Sequence, residues 1–109
     1  MKRFWIVIRV GLAVALAPAA YSQKGDAAAG KSVYTAKCAT CHGAAGEGKE
    51  AIAKMMKVEL KHLGSKEVQA KSDADLKKVI ADGSGKMKGV KLTDAETANL
   101  LAFLRTLKK

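Results

Sequence analysis

The sequence predicts one small all-α domain, a bundle of about four helices. Three observations carry that expectation. No segment alternates apolar and polar residues with period 2 over a useful length, whereas apolar residues recur at i, i+3, i+4 and i+7. Helix-opening cap residues precede three of these stretches, and glycines separate or end them. The 109 residues allow one small domain and exclude a barrel enzyme, a two-domain dehydrogenase or a polytopic membrane protein.

The chain opens on a segment that belongs to targeting rather than to the fold. Lys2, Arg3 and Arg9 precede an apolar run over residues 10–20, and Ala20-Tyr21-Ser22 puts small residues at −3 and −1 of a cut after Ser22. Residues 1–22 therefore read as a cleavable signal peptide that sends the chain to the periplasm or otherwise exports it, leaving a domain over residues 23–109. A retained anchor is the competing reading. Spanning a bilayer takes about 20 apolar residues, and Arg9 interrupts the longer run over residues 4–20. No stable membrane insertion is expected after cleavage.

Asp26 is a plausible N-cap for a helix over residues 27 to about 37, with Gly30, Val33, Tyr34 and Lys37 on one face. Gly43, Gly46 and Gly48 mark a loop. Residues 51 to about 63 have helical character: Ile52, Met55, Met56 and Leu60 are apolar, Lys54, Lys57 and Lys61 lie on another side, and Gly64 is a natural stop. Ser72-Asp73-Ala74-Asp75 opens a helix whose stripe is Leu76, Val79 and Ile80 and whose end is Asp82-Gly83. Thr93-Asp94-Ala95-Glu96 is a capping box, followed by Leu100, Phe103, Leu104 and Leu107 on the inner face of the last helix.

Twenty basic residues against ten acidic ones give a formal charge of +10. Loss of Lys2, Arg3 and Arg9 with the leader leaves 17 basic residues and a charge of +7 on 87 residues. Such a balance suggests an anionic partner. Aromatic content of 5% is too thin for a base-stacking surface, so no nucleic-acid role is expected. Outside the leader only Tyr34 and Phe103 remain as aromatics.

The most informative stretch is Cys38-Ala39-Thr40-Cys41-His42. The pattern C-x-x-C-H is the attachment signature of c-type haem. Two thiols at this spacing on a helix end can each add to one haem vinyl group, and the following imidazole then reaches the iron. One haem c per chain, bound covalently through Cys38 and Cys41 with His42 on the iron, is the implied cofactor. Three readings compete. A redox C-x-x-C needs a βαβ setting, and no strands are expected here. A structural zinc site finds only His62 as a fourth ligand, at poor spacing. A plain Cys38–Cys41 disulfide leaves His42 without a purpose.

A second axial ligand can come from Met87, His62, Met55 or Met56. Met87 ranks first, because Gly83, Gly85 and Gly89 around it let backbone approach a flat cofactor. Met55 and Met56 read as filler of a helical apolar face, and His62 as a surface or half-buried helical histidine.

With these residues in view, the chain resembles class I c-type cytochromes, small soluble monohaem electron carriers, over residues 25–109. The likeness rests on Gly30, Tyr34, Cys38 to Gly43, Ser72-Asp73-x-Asp75-Leu76, Met87 and Phe103-Leu104-Arg105-Thr106-Leu107. The resemblance implies that the first and last helices cross, with Gly30 at the close approach and Tyr34 and Phe103 packed beside it. Two departures stand out. The family often has proline after the distal methionine, whereas Lys88 and Gly89 follow Met87, which implies a looser methionine–iron bond. A proline is also common soon after C-x-x-C-H-G; the equivalent place is near Glu50, and the chain's single proline is Pro18 in the leader.

The expected function is single-electron transfer through a haem edge exposed near Cys38 and Cys41, by an exported monomer that is not an enzyme and has a fairly positive potential. No catalytic base, nucleophile or substrate pocket is suggested. Lys37, Lys86, Lys88, Lys91 and the Lys54–Lys57–Lys61 face suit transient docking to an acidic redox partner, although a solvated lysine surface explains them equally. The alternatives are a gas sensor or weak peroxidase with a labile sixth position, and a haem subunit of a larger oxidoreductase.

Overall fold

The computed structural model describes Gly11 and residues 25–109; the expected leader and its cut lie outside the described residues, Gly11 apart. Helix α1 (Ala27–Lys37) begins where the Asp26 carboxylate accepts from the Ala28 N–H at 2.9 Å. It is followed by the single turn α2 (Ala39–His42), then α3 (Glu50–Met56), α4 (Lys66–Gln69) and α5 (Asp73–Asp82). A minimal hairpin, β1 (Gly83–Ser84) and β2 (Met87–Lys88), leads to α6 (Asp94–Thr106). Ser72 caps α5, and Thr93 and Glu96 form a reciprocal capping box at the start of α6, with bonds of 3.1 and 3.0 Å.

The helical class stands, and the element list differs from expectation in three places. The third stretch is helical only over α3, not to residue 63. Lys57 turns left-handed at φ 55°, and the Val58 N–H reaches back to the Ala53 carbonyl at 3.0 Å, which closes the helix. Beyond it the backbone pairs with the glycine loop instead: the Leu63 N–H donates to the Gly46 carbonyl at 2.8 Å. Tertiary pairing thus overrode the local helical pattern. Helix α4, capped by Ser65, and the hairpin, with Gly83 opposite Lys88 and Ser84 opposite Met87, are each too short to leave a periodic signal. Six helices, not about four, are present among the described residues.

The first and last helices pack through their backbones. A β-carbon on Gly30 would sit 1.8 Å from the Asn99 carbonyl oxygen, so glycine is required there. The Asn99 side chain in turn accepts from the Asp26 N–H at 2.8 Å. One turn beyond Gly30, Tyr34 meets Phe103 with ring centroids 5.0 Å apart and planes at 46°. Leu100, Leu101, Leu76 and Ile80 complete the buried core.

The middle of the chain is fastened to α6 by polar bonds. Gln69 donates to the Leu63 and Leu104 carbonyls at 2.8 and 3.0 Å. Arg105 donates to the Gln69 and Lys71 carbonyls at 2.9 and 2.8 Å and pairs with Asp73 at 2.7 Å. Irregular backbone at residues 69–73 is thereby satisfied without sheet or long helix.

Substituting Gly30→Ala is expected to push α1 off α6 and to destabilise the haem-loaded protein by roughly 1–3 kcal/mol, as overpacking does. Guanidinium unfolding followed by far-ultraviolet circular dichroism measures it. A midpoint equal to that of the unsubstituted protein would contradict the close approach.

Candidate haem-binding site

Cys38 lies at the junction of α1 and α2, and local hydrogen bonds set everything that follows it. Its N–H ends α1 by donating to the Tyr34 carbonyl at 2.8 Å, and its own carbonyl accepts from Cys41 at 3.3 Å and His42 at 3.1 Å. Cys38, Cys41 and His42 are therefore carried on one turn. Gly43, at φ 81°, reverses the chain, and the Gly48 and Lys49 N–H groups return to the His42 and Cys41 carbonyls at 2.7 and 2.9 Å. The Tyr34 hydroxyl donates to the Gly43 carbonyl from the core side. Burial, foremost, with Cys38 and Glu47 nearby, pushes this phenol up to about 12, so it stays a donor at any ordinary pH.

Beside this turn lies a cleft of about 700 Å³. Cys38, Cys41 and His42 line it together with Met87 from β2 and apolar side chains such as Val68, Leu76, Ile80 and Leu104. Both thiols, the chain's only two cysteines, are free. Burial pushes the Cys38 thiol up and the His42 imidazole down from their ordinary values. Burial thus favours the neutral His42 ring, the form that ligates metals. Its Nδ1 is buried without a hydrogen-bond partner, an arrangement that costs about 1–3 kcal/mol when nothing else meets the atom.

The other expected ligands separate clearly. His62 does not line the cleft; its Nδ1 accepts from the Gly64 N–H at 2.8 Å in a local turn. Met55, expected as core filler, is 71% exposed. Met56 lines the cleft beside Met87, again not as plain core. Met55 and Met56 both lie in the last turn of α3, where adjacent positions face different ways around the helix. The sequence offers Met56 as a candidate but ranks it with Met55 as filler; the signal that separates the two is that residues 55 and 56 cannot share one helical face. Lys86 donates to the Met56 carbonyl and so joins the hairpin to the end of α3.

A family model for Cytochrome c matches residues 27–108. The chain belongs to the cytochrome c family. It is 36% identical over 93 residues to cytochrome c-554(547) of Halothiobacillus neapolitanus, an alignment that covers 77% of this chain and 99% of that protein. Among solved structures it is similar to the KustC0563 c-type cytochrome, with a TM-score of 0.63 and 28% identity over 73% of this chain and 98% of the other. Membership carries a covalently attached haem c with its iron, and haem-based electron transfer. The residues at the cleft fit that group: a pair of free thiols, an imidazole and apolar walls meet in one place. Among the described residues, no helix is long and apolar enough to cross a membrane.

In this cytochrome the Tyr34 hydroxyl joins the α1–α6 core to the cysteine turn. Replacing it by Tyr34→Phe leaves the Gly43 carbonyl with only the Gly46 N–H at 3.2 Å as donor and is expected to cost about 1 kcal/mol. Urea unfolding of the haem-loaded protein should show a lower midpoint at an unchanged slope; an unmoved midpoint would remove the assigned role.

Proposed function

We propose that the chain is an exported, monomeric one-electron carrier in which Cys38 and Cys41 hold the haem as thioethers and His42 and Met87 are its axial ligands. One observation carries the reading: two thiols, one imidazole and a thioether line a single apolar cleft. When bound, the haem supplies reversible one-electron chemistry at iron. The chain's part is to anchor, orient and dry the site. The α1–α2 junction presents Cys38, Cys41 and His42 from one turn, and the β-hairpin brings Met87 to the same cleft. Leu76, Ile80, Val68 and Leu104 keep water from the walls. His62, held in its own turn, is left out of the ligand set. Export rests on the leader sequence of residues 1–22.

The labile-site alternative finds some support in the hairpin. Gly83 and Gly85 have φ of 81° and 54°, the ladder is two residues long, and no proline stiffens the step after Met87. Optical spectra decide between the two. In the ferric protein a near-infrared methionine-to-iron charge-transfer band is expected, lost in Met87→Ala and kept in Met56→Leu and His62→Gln. Ready carbon monoxide binding by the unsubstituted ferrous protein would instead favour the gas-binding or peroxidase-like reading. Replacing both Cys38 and Cys41 by Ala should release all haem into acidified organic solvent, whereas the unsubstituted protein retains it.

We further propose acidic redox proteins as transient partners. Lys37, Lys61, Lys71, Lys86 and Lys88 line the cleft, against Glu59 as the one acidic residue there among the described residues. Positive charge beside the thiols would speed encounter with anions more than it would tighten binding. Reversing Lys37 and Lys88 to Glu should slow oxidation by an anionic iron cyanide complex by roughly tenfold at low salt, with the difference fading as ionic strength rises. Oxidation by a cationic cobalt chelate should not slow. Equal slowing with both oxidants would sink the docking role.

A further inference from the structure

The feature that the electron-carrier reading leaves unused is the bond between Lys86 and α3. Met87 lies in a hairpin with little of its own to hold it: two ladder pairs, two glycines at positive φ and no following proline. A single backbone bond, Val90 N–H to the Ile80 carbonyl at 2.7 Å, ties the exit of the hairpin to α5. Across the cleft the tie is a side chain. Lys86 Nζ donates to the carbonyl of Met56, thirty residues away. Met56 is the last residue of α3, so this carbonyl has no intrahelical partner, and an ammonium at a helix C-terminus is favoured by the helix dipole. Lys86, Met56 and Met87 all line the cleft, so the bond joins two elements of its wall.

We propose that Lys86 is a positioning residue: by clasping α3 it keeps the hairpin closed and holds the Met87 thioether in the cleft against competing small ligands. The inference rests on Met87 being the distal ligand. In a closed–open equilibrium, an external ligand binds only the open fraction, so its apparent affinity reports how often the hairpin lifts. Removing one hydrogen bond of this kind raises that fraction several-fold. Lys88, two residues on in the same hairpin, also lines the cleft and takes no part in this bond, so it serves as the charge control.

The test uses the haem-loaded ferric protein and imidazole as the probe. Lys86→Met, which keeps the stem and removes the donor, is expected to bind imidazole about 3- to 10-fold more tightly. The near-infrared band should weaken, and amides of residues 83–88 should exchange hydrogen faster by a similar factor. Lys86→Arg, which retains a cationic donor, should lie nearer the unsubstituted protein, and Lys88→Met should leave all three readouts unchanged. Unaltered imidazole affinity in Lys86→Met would overturn the proposal, as would an equal change in Lys88→Met, which would make the effect one of charge alone. Met87→Ala run in parallel separates the two levels. If that variant keeps the band, the ligand assignment fails and the positioning role falls with it. If it loses the band while Lys86→Met changes nothing, only the positioning role fails.

Discussion

The contact on which the rest of this cytochrome depends is the one between two backbones, where Gly30 of α1 rests on Asn99 of α6. No side chain separates the helices there, so their relative placement is set by main-chain atoms, which have no rotamers to relax into. Tyr34, one turn along from Gly30, is thereby fixed against Phe103, and its hydroxyl reaches the Gly43 carbonyl. That carbonyl belongs to the loop that immediately follows His42. A steric condition at one glycine is thus transmitted, through one phenol, to the turn that carries both thiols and the imidazole.

The remaining walls of the cleft are held by a different device. Residues 58–73 contain little regular structure and bury few large side chains, so packing alone does not place them. Their backbone is instead engaged by Gln69 and Arg105, whose donors converge on four carbonyls between Leu63 and Leu104. Val68 and Leu76, which face the cleft, flank this fastened stretch. Among the described residues the core proper is six side chains, and several of them also line the cleft. A domain of this size gains stability from whatever fills that space, which makes the cofactor a structural component as well as a redox one.

Different parts of this arrangement were legible in the sequence to different degrees. Helices that begin with a side-chain cap, at Asp26, Ser72 and Thr93, start where their residues say they do, because capping is a local interaction. The cysteine turn was legible for the same reason: its chemistry and geometry are contained in five consecutive residues. The third helix is shorter than its apolar pattern because Lys57 turns left-handed and the chain beyond it pairs Leu63 with Gly46, a non-local choice invisible to a window of apolar residues. Met56 was misplaced with it. The bond from Lys86 to Met56 had no sequence signal at all, since any exposed lysine looks like solvated charge until its neighbour thirty residues away is known.

The pairing of α1 with α6 also governs when this chain can fold. Asp26 and Asn99 are 73 residues apart, and Gly64 meets the carbonyl of Leu107 near the last residue. Contacts of such long sequence separation must close a large loop before they return any stability. A nascent or threading chain therefore has the cysteine turn in hand long before the helix that buries Tyr34 arrives. Until α6 is made, Tyr34 has no Phe103 to pack against, and the turn that carries Cys38 and Cys41 lacks that support. Docking of α6 then braces that turn through Tyr34, so the chain forms its cysteine turn from local bonds first and supports it from a distant helix later.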